Sequence, residues 1–220
     1  MKNGDYSNAA QSFAKVFQKD QRPEVQVRLG YSMFLAEIYS MHKNPESFEA
    51  AMVHMRAACE QFAEFQNDQI FWFVSSELRN QEARQIIKSS DVKMDQANLD
   101  YALNNAKATI LSASSMFETY SSLTLFTLTQ VSLSYIKAGD RVQNKTYYDS
   151  ALELLTRYEE LSPEHTSPGV ASQLGYIYMN KSIPDYNLAR ECFNKSIIFN
   201  PSGSDWIEKQ LARINELENQ

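Results

Sequence analysis

The chain has 220 residues, and its 21 Lys and Arg against 27 Asp and Glu give a formal net charge of −6. Hydrophobic residues make up 43 % and charged residues 22 %, which is typical of a soluble globular protein and not of a disordered or disulfide-rich one. The acidic balance argues against non-specific nucleic-acid binding, which needs clustered Lys and Arg. Six Gly and six Pro are few, which disfavours a turn-rich β-sandwich.

Neither a membrane span nor a disulfide framework is predicted. Residues 119–136 carry no charge, but about half of them are Ser, Thr or Gln, whereas a spanning helix needs about 20 mainly apolar residues. Cys59 and Cys192 lie far apart, with no second Cys or His at metal-ligand spacing, so we expect buried free thiols. Residues 1–5 are polar with no apolar core behind them, so we expect no signal peptide and a cytoplasmic location.

Helical periodicity dominates the sequence, and no alternation of apolar and polar residues predicts a strand. The interruptions between the periodic segments contain residues typical of helix ends. One example is Asn44 followed by Pro45, an N-cap residue followed by proline at the first helical position. Gly139 is predicted to end the sixth helix. In chain order, the ten predicted helices cover about residues 5–20, 23–41, 45–66, 69–88, 95–113 and 116–138, then one that ends at 161, then 168–180, 184–199 and 204–218.

An alanine pattern recurs along the chain. In its two best copies an alanine is followed by large or medium-sized residues 4 and 7 positions later and by a proline 12 positions later. These copies are Ala151, Leu155, Tyr158 and Pro163, and Ala189, Phe193, Ser196 and Pro201. Copies without the proline begin at Ala9, Ala51 and Ala102.

The preceding helices carry a second pattern, in which a small residue follows an apolar one and a large residue comes three positions later. The copies are Leu174-Gly175-x2-Tyr178 and Val131-Ser132-x2-Tyr135, with weaker ones at Leu29-Gly30-x2-Met33 and Val74-Ser75-x2-Leu78. Small residues let the two helices of a hairpin approach closely, and a terminal proline ends the second helix. Because no hairpin can bury its apolar face alone, several must stack.

These two patterns resemble the tetratricopeptide repeat (TPR) family, in which an L-G-x2-Y helix is followed by an A-x3-F helix and a proline. The resemblance is good over residues 124–201, fair over 4–20 and 27–62, and poor over 67–113. The pattern alanines are 42, 51, 49 and 38 residues apart, longer than the family's repeat of about 34. The alternative is a non-repeating helical bundle with chance Ala-x3-large pairs.

The resemblance implies a single all-α domain over residues 1–220, built from stacked antiparallel helix hairpins that form a right-handed superhelix, an α-solenoid. Residues 1–21 would be an unpaired second helix, 22–66, 67–113, 114–163 and 164–201 helix pairs, and 202–220 a capping helix. The capping helix contains Trp206 and has a one-sided apolar face, which suits the end of an array. Because the first pair lacks a helix, we expect either a domain of a longer protein or a chain whose first helix is unpaired.

No constellation for catalysis is evident. His42, His54 and His165 belong to no HExxH motif and have no His four residues away, and neither a Gly-rich phosphate loop nor a G-x-S-x-G motif occurs. The sequence therefore predicts no metal, no cofactor and no enzymatic activity.

Binding is the function that the resemblance favours. In TPR proteins the first helices of the pairs line a concave groove, which holds an extended peptide or a partner helix. In this register the groove residues are Val27, Tyr31, Phe34, Trp72, Ser76, Arg79, Asn80, Thr129, Leu133, Lys137, Ser172, Tyr176 and Asn180. Aromatic residues with a polar edge suit peptide contacts, although Trp72 with its aromatic neighbours has core packing as an equal alternative.

The leading interpretation is a non-catalytic scaffold that binds a protein or peptide. The alternative is a ligand- or peptide-sensing part of a larger regulator, and an α-helical enzyme is disfavoured. A clamp for the C-terminal carboxylate of heat-shock proteins is also disfavoured, because the positions that hold Lys and Asn in such co-chaperones here hold residues such as Thr129, Leu133, Ser172 and Tyr176.

Overall fold

The computed structural model describes residues 5–40, 44–61, 69–89, 91–92, 95–116, 121–164, 167–201 and 204–219. Over these residues the protein is all-helical, with ten α-helices and no strand, as the periodicity predicts. The helices are α1 (Tyr6–Phe17), α2 (Pro23–Tyr39), α3 (Pro45–Gln61), α4 (Gln69–Lys88), α5 (Gln96–Ala113), α6 (Ser121–Val142), α7 (Thr146–Leu161), α8 (Pro168–Asn180), α9 (Tyr186–Phe199) and α10 (Ser204–Glu218). A 3₁₀ turn, Ser114–Met116, follows α5.

Helix starts follow the capping signals in the sequence. The side chain of Ser167 accepts a hydrogen bond from the backbone N–H of Val170, and that of Asp185 accepts one from Leu188. Pro168 occupies the first helical position of α8, where its missing N–H costs nothing. Each cap satisfies an N–H that has no partner within the helix. α8 begins at the predicted Pro168, whereas α9 begins at Tyr186, two residues after the predicted Pro184.

Gly139 does not end the sixth helix, so that prediction was wrong. α6 continues to Val142 and ends where Gln143 adopts a positive φ of 61°. Gly139 instead lies against α7: a Cβ atom at this position would stand 2.8 Å from Cζ of Tyr148. This glycine allows a close approach between helices, and its lack of a side chain is required for packing.

Adjacent helices pack in pairs. The most extensive contacts join α2 with α3, α4 with α5, α6 with α7, and α8 with α9, and α1 packs on α2. Successive pairs are linked through every second helix, since α2 contacts α4, α4 contacts α6, α6 contacts α8 and α8 contacts α10. The pairing is consistent with a helical repeat, and one large core runs from α2 to α8.

Small residues mark the crossing points within the pairs. A Cβ on Gly30 would lie 2.9 Å from the backbone nitrogen of Met55, and one on Gly175 would lie 2.7 Å from Cδ1 of Phe193. Ser132 donates a hydrogen bond of 3.3 Å from Oγ to the carbonyl of Ala151. The predicted close approaches at Gly30, Ser132 and Gly175 are therefore present.

In the pair α4–α5 the crossing residue is Ser76, and the predicted Ser75 is displaced by one position. The buried hydroxyl of Ser76 donates a hydrogen bond of 2.9 Å to the carbonyl of Ala106 on α5. One residue rotates a helix by about 100°, because a turn has about 3.6 residues. The side chains that the sequence register assigns to one face of α4 therefore lie on another.

A second, smaller core lies at the C-terminal end. Met179, Phe193, Ile207 and Ile214 are buried there, and they join α8 and α9 to α10. Over the described residues, none of the helices is both long and apolar enough to span a membrane.

Candidate functional site

An open cleft of about 470 Å³ lies between α6, α8 and α10. Its walls combine apolar and aromatic side chains with two cationic groups, one carboxylate and two amides. The lining residues are Leu133, Ile136, Lys137 and Asp140 from α6, Gly169, Ser172, Gln173 and Tyr176 from α8, and Trp206, Gln210 and Arg213 from α10. We call this site the α6–α8–α10 cleft.

The aromatic wall of the cleft is held by hydrogen bonds at its base. Oδ1 of Asp140 accepts hydrogen bonds from the hydroxyl groups of Tyr148, at 2.6 Å, and Tyr176, at 2.8 Å. The ring of Trp206 lies 5.8 Å from that of Tyr176 and meets Phe193 edge to face at 6.0 Å. Trp206 remains 46 % exposed, so one face of an aromatic pair is presented to solvent.

The tyrosines of the cleft stay neutral at physiological pH. Burial and the hydrogen bond to the Asp140 carboxylate raise the pKa of Tyr176 to about 12, and the nearby Arg213 guanidinium opposes this rise. The same two causes raise the pKa of Tyr148. Both hydroxyl groups therefore act as hydrogen-bond donors, and neither is poised to act as a base.

The positive charges lie on opposite walls, Lys137 on α6 and Arg213 on α10. Burial of part of the side chain lowers the pKa of Lys137, and the positive charges of Arg84 and Lys88 on α4 add to this effect. Over the part of the chain that the structure describes, Lys137 and Arg213 form no salt bridge. Neither cation is therefore paired directly with an acidic side chain of the described residues.

Four of the predicted groove residues come together here: Leu133, Lys137, Ser172 and Tyr176. They derive from α6 and α8, two of the three helices in which the predicted small residue lies at the crossing. Asn180 lies further along α8, where its Nδ2 donates to the carbonyl of Tyr176 at 2.8 Å. Thr129 lies one turn earlier on α6 and donates to the carbonyl of Phe126.

Five predicted groove residues are core residues in the structure. Val27, Tyr31, Phe34, Ser76 and Asn80 are each at most 1 % exposed, so they line no open surface. The physical reason on α2 is that this helix contacts α1, α3 and α4 and is covered on all these sides. On α4 the reason is that Ser76, and not the predicted Ser75, lies at the crossing with α5, so the helix face that contains Ser76 and Asn80 is buried.

The remaining two predicted residues lie apart from the α6–α8–α10 cleft. Trp72 lines a smaller cleft of about 350 Å³ between α4 and α5, together with Phe71 and Thr109. Arg79 forms an ion pair with Glu82 at 2.7 Å, and its guanidinium carbon lies 5.5 Å from the ring centre of Tyr101. The predicted groove is thus not one continuous surface of the named residues.

The sequence interpretation missed the contribution of α10. Trp206 was assigned a capping role only, and Gln210 and Arg213 were not singled out. A signal was present, because residues 206, 210 and 213 are spaced i, i+4 and i+7 and so share one helix face. An aromatic, an amide and a cation on one face of a terminal helix are unusual for a purely solvating surface.

A buried polar cluster lies between α2, α4 and α6. Glu77 is 1 % exposed, and it accepts a hydrogen bond of 2.6 Å from Nε2 of Gln81. Burial raises the pKa of Glu77, and the Arg84 guanidinium opposes this. The hydroxyl groups of Tyr31 and Thr127 lie close to each other in the same region, and neither forms a hydrogen bond of good geometry. This cluster is interior and belongs to the packing of the array.

The groups considered for chemistry are dispersed. His54 lies within α3 and contacts the ring of Phe17 edge to face, and burial lowers its pKa. His42 and His165 lie outside the described residues. Cys59 and Cys192 are free and half-buried, and burial raises their pKa values to about 12 and about 11. Among the described residues, no three His, Cys, Asp or Glu side chains are grouped so that they could hold a metal.

Comparison with known proteins returns no match to a protein family, to a curated protein or to a solved structure.

Proposed function

We propose that this protein is a TPR-like α-solenoid that acts as a non-catalytic scaffold and binds a peptide or partner segment along its first helices. The contacts between α2, α4, α6, α8 and α10 support this proposal, because they place the first helices of successive pairs side by side. The second helices make fewer such contacts, with α5 touching α7. An array packed more closely along one side curves toward that side, and repeat proteins bind partners on such surfaces.

The observation that carries the proposal is the α6–α8–α10 cleft. Four residues chosen from the repeat register converge there with Trp206 and Arg213, in an open site of about 470 Å³. Exposed aromatic and Arg side chains are the residue types that contribute most to protein interfaces.

A photo-crosslinking experiment tests this proposal. A benzophenone amino acid replaces Ser172, which lines the cleft, or Asn194, which is exposed on the outer helix α9. We expect a partner that crosslinks from position 172 and not from 194, and that binds the purified protein with reduced affinity after Ser172→Arg. Equal crosslinking from both positions, or binding unaffected by Ser172→Arg, contradicts the proposal.

The second candidate is a sensor for a small molecule. The volume of the cleft lies within the range of about 300–1,000 Å³ that is usual for small-molecule sites, and its wall is mainly apolar with a few convergent polar groups. Screening by thermal stability separates the two candidates: a compound that raises the melting temperature, with no protein partner at the cleft, favours the sensor. Loss of that shift in Trp206→Ala locates the compound.

A further inference from the structure

We propose that the α6–α8–α10 cleft binds a peptide segment in which an acidic side chain lies close to a large apolar one. This inference deepens the proposed function and rests on it. Three features of the cleft carry it: two cations without a salt bridge among the described residues, an exposed aromatic face, and two amide oxygens without hydrogen-bond partners.

The first feature is the local charge. Lys137 and Arg213 face the cleft without a salt bridge to any described residue, and Arg84 and Lys88 lie near Lys137. Among the lining residues, Asp140 supplies one negative charge against the two positive charges of Lys137 and Arg213, so the lining keeps a net positive charge. In a chain of net charge −6, this site is a local excess of positive charge that complements an acidic side chain.

The distribution of charge along the array points the same way. The helices on the cleft side, α2, α4, α6, α8 and α10, carry eight Lys and Arg against nine Asp and Glu, and one of those acids, Glu77, is buried. The second helices α3, α5, α7 and α9 carry five Lys and Arg against nine Asp and Glu. The side that contains the cleft is therefore less acidic than the opposite side and repels an acidic segment less.

The second feature is apolar. Trp206 lies beside Tyr176 and is 46 % exposed, although its ring also contacts Phe193. Leu133 and Ile136 continue this wall from α6. A large apolar side chain that covers the indole face would remove this area from water, and aromatic stacking adds to the gain.

The third feature distinguishes a peptide from a simple anion. Gln173 on α8 and Gln210 on α10 both line the cleft, and the side-chain oxygen of each lacks a hydrogen-bond partner. Rotation of an amide about its last side-chain bond exchanges its oxygen and NH₂, so each glutamine can donate to, or accept from, a peptide backbone. Lys137, Gly169 and Arg213 at the rim are exposed, so a bound chain can continue out of the cleft on both sides.

The experiment selects peptides from a phage-displayed library of random dodecapeptides against the full chain. Selected peptides are synthesised and titrated into the Trp72→Phe variant. The sequence has two tryptophans, so in this variant only Trp206 remains, and its fluorescence reports on the cleft. The double variant Lys137→Glu with Arg213→Glu reverses the charge of the cleft. Lys145→Glu with Lys209→Glu makes the same change in net charge at exposed positions outside it. Circular dichroism checks that both variants keep their helical content.

We expect selected peptides to share Asp or Glu near an aromatic or large aliphatic residue and to change Trp206 fluorescence. Their affinity should fall about tenfold or more in the cleft variant and stay within about twofold in the control, since hydrogen bonds to charged groups are strong. A neutral or basic consensus, or binding insensitive to Lys137→Glu with Arg213→Glu, overturns this inference and leaves peptide binding standing. If no peptide is enriched over a surface without protein, both this inference and the proposed peptide-binding function fail.

Discussion

Tyr176 on α8 donates a hydrogen bond of 2.8 Å to Asp140 on α6 and thereby ties two successive helix pairs together. Tyr148 on α7 donates to the same carboxylate oxygen, so three helices meet at one acceptor. We call Asp140, Tyr148 and Tyr176 the polar junction. It joins the helix pairs α6–α7 and α8–α9 and holds the wall of the cleft in place.

Removing the Tyr176 hydroxyl should weaken this junction. We expect Tyr176→Phe to lower the free energy of unfolding by about 1–2 kcal/mol, because a hydrogen bond to a carboxylate is lost while the ring keeps its contact with Trp206. Urea denaturation followed by circular dichroism measures the change. The control is Tyr186→Phe, because the Tyr186 hydroxyl has no hydrogen bond to another described residue. Equal effects of the two substitutions would mean that the junction contributes nothing.

This junction also predicts a limit to stability at high pH. The folded-state pKa of Tyr176 is raised to about 12 from a reference of 10.0, so its contribution is complete below about pH 10 and is lost as the pH rises toward 12. Tyr176→Phe should flatten part of the stability loss over this interval. Unfolding curves collected from pH 9 to pH 11.5 for both proteins show whether the slopes differ.

Two glycines on one helix make a matched test of the hairpin packing. Gly175→Ala should destabilise the protein by about 1–3 kcal/mol, because the new Cβ would lie 2.7 Å from the Phe193 ring. Gly169→Ala places its Cβ no closer than 3.9 Å to its nearest neighbour, Ser167, so it should be neutral or slightly stabilising. Thermal unfolding of the two variants measures the difference. A Gly175→Ala protein as stable as the Gly169→Ala protein would show that the helices can move apart freely.

Two buried tyrosines should respond oppositely to loss of their hydroxyl groups. Tyr135 is 1 % exposed and donates to Oδ1 of Asn104 at 2.9 Å, so Tyr135→Phe should cost about 1 kcal/mol. Tyr31 is equally buried, but its hydroxyl forms no hydrogen bond of good geometry, although the Thr127 hydroxyl lies nearby. We therefore expect Tyr31→Phe to be neutral or to stabilise by up to about 1 kcal/mol. Chemical denaturation checks the sign, and a large loss at Tyr31 would reveal a hydrogen bond absent from this structure.

The buried Glu77 predicts a pH dependence of the opposite kind to that of a surface carboxylate. Its pKa is raised by burial from a reference of 4.5, so the stability it contributes is present below about pH 4.5 and is lost as the pH rises through the folded-state pKa. Glu77→Gln keeps an acceptor for Gln81 and cannot ionise, so its stability relative to the original chain should improve from pH 4.5 to pH 8.

The control for Glu77 is Glu82→Gln, at an exposed ion pair with Arg79. The free energy of unfolding of Glu82→Gln, relative to that of the original chain, should not increase as the pH rises. A constant difference between the Glu77→Gln protein and the original chain across this range would show that Glu77 is ionised in both states.

The sequence alone was sufficient for the helices and for most of the hairpin crossings. Proline and capping residues act within a few positions along the chain, so the helix starts at Pro45 and Pro168 could be recognised locally, whereas α9 begins two residues after the predicted Pro184. The small residues Gly30 and Gly175 recur at fixed distances from their helix partners, which made their close contacts predictable.

Where sequence reasoning failed, two neighbouring positions competed for one structural role. Ser75 and Ser76 are chemically identical, and only packing against Ala106 selects Ser76. Glycine commonly ends a helix, which is why Gly139 was predicted to do so. In the structure Gly139 lies within α6, and the ring of Tyr148 occupies the space that a side chain would need. Local patterns cannot distinguish these outcomes, because the deciding contact comes from another helix.

The cleft shows the same division. The sequence determined which residues share a helix face, and it thereby brought Leu133, Lys137, Ser172 and Tyr176 into one predicted set. The tertiary structure decided that α10 completes the site with Trp206 and Arg213, and that Val27, Tyr31 and Phe34 are buried. The physical reason is that exposure depends on how many neighbours cover a helix, and the periodicity of a single helix contains no information on that number.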